Sequence, residues 1–160
     1  MKSIGLFLFS FVFLLTGSCS SSNLINPHQF SNGWKNEEVV QFDINVKEDT
    51  KNHDLFFILR HDKNYAFSNI FLITEIRFEN DSISTDTLEY ALSEKNGKWL
   101  GSKRLSIVEH TLPFKENLKL IKDSTYIVTV RNSMRLNNEI SPIQNLEKVL
   151  DLGLLIESVK

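Results

Sequence analysis

The chain has 160 residues, of which 41% are hydrophobic and 24% are charged. This is the composition of an ordinary globular domain and not of a disordered segment. A formal net charge of −2 argues against nucleic acid as a partner, because nucleic-acid binding needs a clustered basic face. The single cysteine excludes an internal disulfide, so packing alone must hold the domain together.

The N-terminus has the features of a bacterial lipoprotein signal. An apolar run over residues 4–15 is too short for the roughly 20 residues of a membrane-spanning helix. The small residues Gly17 and Ser18 then precede Cys19, although threonine stands where such signals usually have leucine. We therefore predict that residues 1–18 are removed and that Cys19 carries the lipid. The alternatives are plain secretion with a free cysteine and a short N-terminal anchor.

Two segments are predicted behind the cysteine. Residues 19–33 are expected to form a tether, since Pro27 and Gly33 interrupt any regular element there. Residues 34–160 are expected to form a single domain. No acidic residue follows Cys19 directly, and this favours the periplasmic face of the outer membrane for the anchored protein.

Alternating apolar and polar residues predict β-strands through most of the domain. The clearest patterns cover residues 40–46 and 70–78. The continuous apolar run 55–59 predicts a central strand that is buried on both faces. Further strands are predicted at 88–92, 105–112, 126–130 and 150–156, and the best helix candidate is 143–150.

These elements indicate the fold class. About seven or eight closely spaced strands, separated by turns such as the hairpin at Gly97, are typical of an all-β protein. We predict an antiparallel β-sandwich, of which the jelly roll is one arrangement.

No group of residues has the spacing of an active site or a metal centre. The histidines, His28, His53, His61 and His110, are scattered without a paired spacing on one predicted element. Residues 97–103 lack the spacing of a phosphate-binding loop. The sequence contains no Gly-x-Ser-x-Gly elbow and no carboxylate pair in an apolar frame. We therefore predict no catalytic residues, no metal, no cofactor and no enzymatic activity.

An aromatic group is the first candidate site. Tyr65 and Phe67 lie close together in the chain, and Trp99 follows the Gly97 turn. Exposed aromatic residues anchor protein interfaces and carbohydrate contacts, so these three are a candidate binding surface. The alternative is that they fill the core, which we favour because strands routinely bury aromatic side chains.

Three hydroxyl residues are candidates for modification. Ser82, Thr87 and Ser124 each follow an aspartate and precede an apolar residue or threonine. The pattern resembles the acceptor motif of periplasmic O-glycosylation in Bacteroidetes. Aspartate–serine pairs are also common in turns because of their hydrogen bonding. We predict these three residues as candidate glycosylation sites.

Several short strings occur together in a recognisable order behind the lipoprotein signal. They are Tyr65-Ala66-Phe67-Ser68-Asn69-Ile70-Phe71-Leu72, Asp86-Thr87-Leu88-Glu89-Tyr90-Ala91-Leu92, Gly97-Lys98-Trp99-Leu100-Gly101, Met134-Arg135 and Asp151-Leu152-Gly153-Leu154-Leu155-Ile156-Glu157. With these strings the chain resembles the gliding motility lipoprotein GldH family of Bacteroidetes over nearly the whole mature length. It departs from the family pattern at Ala66 and at Lys103-Arg104.

The resemblance implies a component of the gliding machinery, which is tied to the secretion system that exports surface adhesins. The implied partners are the membrane, through the lipid, and other envelope proteins of the gliding or secretion machinery. No catalytic residues are implied, so the expected role is that of an accessory protein. The alternative is a lipoprotein that binds carbohydrates or peptides in nutrient capture. An exposed aromatic groove would favour the nutrient-binding role. A flat apolar patch or an uncapped edge strand would favour the accessory role in the gliding machinery.

Overall fold

The computed structural model describes residues 22–47, 52–78 and 81–159, and these contain eleven β-strands and no helix. The strands are β1 Ser22–Gln29, β2 Trp34–Lys35, β3 Val40–Val46, β4 Asn52–Asp62, β5 Asn69–Phe78, β6 Asp81–Ala91, β7 Ser102–Arg104, β8 Ile107–Lys119, β9 Ser124–Asn132, β10 Asn145–Leu146 and β11 Val149–Ser158. The predicted all-β class is confirmed.

Two antiparallel sheets pack as a sandwich. The five-stranded sheet has the order β1-β11-β4-β8-β7, and the four-stranded sheet has the order β3-β9-β5-β6. The short strands β2 and β10 form a separate pair. The predicted antiparallel β-sandwich is therefore confirmed.

The core lies between the two sheets because alternate residues of each strand point inward. In β3, for example, Val40, Phe42 and Ile44 are buried while the residues between them are exposed. Trp34 and Phe57 are the largest fully buried side chains.

The strand registers define two ends of the sandwich. At the proximal end β1 begins and β11 ends, Asn52 pairs with Lys119, and Val46 pairs with Ser124. At the opposite, distal end lie the segments 30–39, 63–68, 92–106 and 133–148, which connect the other strand ends.

The predicted tether is wrong from residue 22 onward. Residues 22–29 form β1, which pairs with β11, so the folded domain begins well before residue 34. Pro27 is tolerated because β1 is an edge strand with a register shift between Ile25 and His28.

The predicted helix at 143–150 is also wrong. Asn145–Leu146 form β10, paired with β2, and β11 begins at Val149. Leu146 and Val149 are both buried, which gives the three-residue spacing of a helix. The spacing arises instead because the chain turns between two strands at Lys148, where φ is +69°.

The prediction that the strand at residues 55–59 is buried on both faces is wrong. β4 is central in its sheet, between β11 and β8, and its inward residues Leu55, Phe57 and Leu59 are fully buried. Phe56 and Ile58 point to the outer face and are only half-buried. Only one face of this strand packs against the second sheet.

Candidate functional site at the distal end

Five rings meet at the distal end, and we call them the histidine–aromatic cluster: His61, Tyr65, Phe67, Trp99 and His110. The ring of His61 lies 4.6 Å from that of Trp99, 5.0 Å from Tyr65 and 5.1 Å from His110, measured between centroids. The Tyr65 ring lies 5.5 Å from the Phe67 ring in an edge-to-face arrangement. The structure thus joins the predicted aromatic group to two histidines that looked unrelated in the sequence.

The strand phase explains why both histidines point inward. His61 follows the buried Leu59 by two residues in β4, and His110 follows the buried Val108 by two residues in β8. Because Leu59 pairs with His110, the two histidines are diagonal neighbours on the same face. The period-two pattern could have found this pair, but the predicted strand ended at Leu59.

Hydrogen bonds settle the tautomers of the pair. His61 Nδ1 lies 2.8 Å from the carbonyl oxygen of Asp62, and His61 Nε2 lies 3.0 Å from His110 Nε2. A carbonyl oxygen can only accept, so His61 Nδ1 carries a hydrogen. When His61 is neutral, its Nε2 then accepts the hydrogen of His110 Nε2.

Burial favours the neutral form of both rings. His61 is fully buried and His110 is 4% exposed. Desolvation lowers the pKa of His61. Desolvation, together with the charge of His61, lowers the pKa of His110 to about 4. Because both rings are buried, the pair packs with Tyr65 and Trp99 as part of the distal end.

The structure separates the three residues of the candidate binding surface. Tyr65 is 4% exposed and belongs to the core, so the binding-surface interpretation is wrong for it. Burial also raises the pKa of the Tyr65 hydroxyl. Phe67 and Trp99 are half-buried and pack against the core. The favoured core interpretation therefore describes this group better.

Two glycines shape the segment that carries Trp99. Gly97 has a φ of +84°, and its N–H donates to the carbonyl oxygen of Glu94 in the predicted hairpin turn. At Gly101 an added Cβ would overlap the carbonyl oxygen of Glu109 and come within 2.9 Å of the His110 ring. Gly101 therefore lets segment 92–106 close over β8 beside the histidine pair.

The described part of the chain has no cluster of side chains with the make-up of a metal site. Within it, no three His, Cys, Asp or Glu side chains converge as metal ligands. It also contains no helix long and apolar enough to cross a membrane. Three surface depressions have volumes of about 240, 380 and 400 Å³, and none is lined by Tyr65, Phe67 or Trp99. They do not form the aromatic groove expected of a carbohydrate-binding protein.

Exposed apolar side chains concentrate at the distal end. Of the nine large hydrophobic residues exposed in the described ranges, six lie in its segments or directly beside them. They are Val39, Leu100, Leu105, Ile107, Leu136 and Ile140. Leu105 and Ile140 are the extreme cases, at 96% and 90% exposed.

The other predicted site residues that the structure describes lie on two strands, β6 and β9. Cys19 lies outside the described residues. Thr87 is exposed on β6, the edge strand of the four-stranded sheet, and Ser82 lies on the same strand. Ser124 begins β9, and its hydroxyl donates to the carbonyl oxygen of Ile121.

Comparison with known proteins places this fold in a family. The model of the GldH lipoprotein family matches residues 25–156, which include the histidine–aromatic cluster and nearly all of the sandwich. The chain belongs to the GldH lipoprotein family. Three GldH-like strings named above, 65–72, 97–101 and 134–135, lie at or next to the distal end.

Relatives cover the GldH-family chain almost completely. It is 35% identical over 156 residues to the gliding motility lipoprotein GldH homolog of Christiangramia forsetii, covering 98% of this chain and 96% of that protein. It is 31% identical over 158 residues to the gliding motility lipoprotein GldH of Flavobacterium johnsoniae, and this match covers 98% of this chain and 97% of that protein. The infectious bursal disease virus VP2 subviral particle matches with a TM-score of 0.38 and 10% identity, over 99% of this chain and 37% of that one. That score is too low to indicate a shared fold.

Proposed function

We propose that this GldH-family protein is a lipid-anchored, non-enzymatic accessory component of the gliding machinery, linked to protein secretion. The family match over residues 25–156 carries the proposal, together with relatives named for gliding motility that match nearly end to end. The buried histidine pair is consistent with a role that involves no catalysis. We place the protein at the periplasmic face of the outer membrane, held by a lipid on Cys19.

In this proposal the distal end contacts other envelope proteins. Concentrated exposed apolar side chains are typical of protein–protein contact surfaces, and Leu105 and Ile140 are the most exposed of them. The histidine–aromatic cluster beneath these segments would hold them in place.

A deletion in a gliding host tests the function. We expect the loss of colony spreading and of adhesin secretion, with both restored by the wild-type gene. A Leu105→Glu/Ile140→Glu variant should restore neither, because charge at the distal end opposes an apolar contact. Ile83→Glu is the matched control, since Ile83 is about half exposed on β6, away from the distal end. Normal spreading and secretion in the deletion strain would contradict the proposal.

The anchor has its own prediction. Replacing Cys19 with serine should abolish labelling of the protein by radioactive palmitate, because serine cannot form the thioether that carries the lipid and the chain has no other cysteine. The protein should then move from the membrane fraction to the soluble periplasm. Labelling of Cys19→Ser at the wild-type level would exclude Cys19 as the lipid site.

Glycosylation at Ser82, Thr87 or Ser124 is proposed separately, and Thr87 is the most accessible of the sites whose side chains are described. It is exposed on β6, whereas the Ser124 hydroxyl is engaged with Ile121. A glycan on Thr87 would also block strand pairing at the β6 edge. The measured mass of the mature protein should therefore exceed the sum of its sequence and its lipid by the mass of a glycan. The Thr87→Ala variant should lack the part of that excess that is attached at residue 87. A mass spectrum without any added glycan contradicts this prediction.

A further inference from the structure

We infer that the proximal end of the sandwich rests on the membrane, and that the turn at residues 120–123, here called the β8–β9 turn, is its contact point with anionic phospholipid. The inference rests on the proposed lipid anchor at Cys19. It goes further by assigning a second, non-covalent membrane contact and a fixed orientation to the domain.

Chain length limits how far the domain can move from the lipid. Only Ser20 and Ser21 separate Cys19 from β1, and this stretch spans about 10 Å at most when fully extended. The start of β1 is itself fixed, because Ser22 pairs with Glu157 of β11. A lipid on Cys19 therefore holds the proximal end within about 10 Å of the membrane surface.

The sheet order brings the β8–β9 turn to the same end. From β1 the sheet runs through β11 and β4 to β8, so the end of β8 lies about 14 Å from the start of β1 at the usual strand spacing. Asn52, at the start of β4, pairs with Lys119, directly before the turn. The turn is therefore a projecting feature of the proximal end, beside the attachment point.

Local contacts force one apolar side chain outward. Leu120 is 2% exposed and fixes the turn to the core, while the next residue, Ile121, is 53% exposed. The N–H of Ile121 donates to the Tyr126 hydroxyl at 3.1 Å, and its carbonyl oxygen accepts from the Ser124 hydroxyl. The N–H of Asp123 donates to the carbonyl oxygen of Val46 at 2.8 Å, and this hydrogen bond links the turn to the end of β3. Three hydrogen bonds thus fix the turn in a conformation that leaves Ile121 on the surface.

The charges beside Ile121 fit a phospholipid surface. Lys119 and Lys122 are both exposed and flank it, and Lys47 is exposed at the end of the neighbouring β3. Asp123 in the turn offsets part of this charge, and so do acidic residues elsewhere at the proximal end, so the positive charge is local to the turn. Those acidic residues are Glu116, Asp81 and Glu157. An apolar tip between lysines is the pattern of a segment that enters the headgroup region. Each lysine near an anionic surface strengthens binding to that surface about fivefold. This is too little to bind a free domain to the membrane, but it is enough to orient a domain that a lipid already tethers there.

A fluorescence experiment on the full lipidated chain tests the contact. In an Ile121→Cys variant the new cysteine is the only free thiol, because Cys19 carries the lipid. It is labelled with an environment-sensitive dye, and the acylated protein is confirmed by mass. The protein is then placed in vesicles of phosphatidylethanolamine and phosphatidylglycerol (3:1) that contain headgroup spin-labelled lipid. The matched control is Leu105→Cys at the distal end, where the side chain is 96% exposed.

We expect the spin label to quench the dye at position 121 at least about threefold more than at 105. The added change Lys119→Gln/Lys122→Gln, or vesicles of phosphatidylcholine alone, should roughly halve the quenching at 121, in line with a lysine contribution of a few-fold. Equal quenching at 121 and 105 in an acylated chain overturns the membrane contact and leaves the anchor intact. A chain that carries no acyl group at Cys19 overturns both.

Discussion

Replacing Trp34 with alanine is expected to lower the free energy of unfolding by about 4 kcal/mol, the usual scale for removing a large buried aromatic side chain. Trp34 is fully buried and stacks on Phe30 with ring centroids 5.0 Å apart. Its indole N–H donates to the carbonyl oxygen of Glu38 at 2.9 Å. The substitution removes both contacts and leaves a cavity. Urea unfolding followed by circular dichroism measures the loss.

Leu105→Ala is the control for this experiment. Its side chain is 96% exposed, so its removal should change the free energy of unfolding by less than about 0.5 kcal/mol. A loss below about 1 kcal/mol for Trp34→Ala would contradict the packing described here. Trp99, which remains in the variant, gives an independent fluorescence signal for the same transition.

Acid is expected to destabilise the fold through the histidine pair. The pKa of His110 is lowered from 6.5 to about 4 in the folded protein, and that of His61 is lowered as well. Between pH 6.5 and 4 the unfolded chain binds protons that the folded chain does not, so stability falls as the pH falls. His110 alone should remove about 3 kcal/mol over this range. This destabilisation by His110 should be absent well above pH 6.5 and fully present well below pH 4.

The double variant His61→Phe/His110→Phe isolates this effect. Replacing both partners with apolar rings leaves no unpaired polar nitrogen, so the change at pH 7.5 should be small. Free energies of unfolding at pH 7.5, 6, 5 and 4 should show a weaker pH dependence in the variant than in the wild type. Carboxylates titrate in both proteins and cancel in the comparison. Identical pH dependence in the two proteins would show that the pair does not titrate as described.

Period-two patterns predicted the strands well where one face is buried and the other is exposed. The residues of β3 alternate without exception, and the predicted boundaries 40–46 are those of the strand. β8 continues past the predicted end at Leu112, through Pro113 to Lys119. Proline is tolerated there because β7 pairs only with residues 107–109, which leaves that part of β8 as an edge.

Other features depend on contacts between distant parts of the chain, which local patterns do not reveal. β1 is stabilised by pairing with β11, more than 120 residues later, and its own sequence has a proline and no clear alternation. The meeting of His61 and His110 needs the register of β4 on β8. The false helix at 143–150 had a local spacing of buried residues that a turn between two strands also produces.

The position of β11 has a consequence for how the chain folds. Strand β11 lies between β1 and β4, so the five-stranded sheet cannot close until residues 149–158 are available. A partial chain that emerges from a ribosome or a translocation channel still lacks β11. Strand β1 then has no partner through which to join β4 and the rest of the five-stranded sheet. The domain should therefore complete its fold only after β11 is available. Loss of residues 149–158 should prevent folding, whereas loss of a peripheral strand would only weaken it.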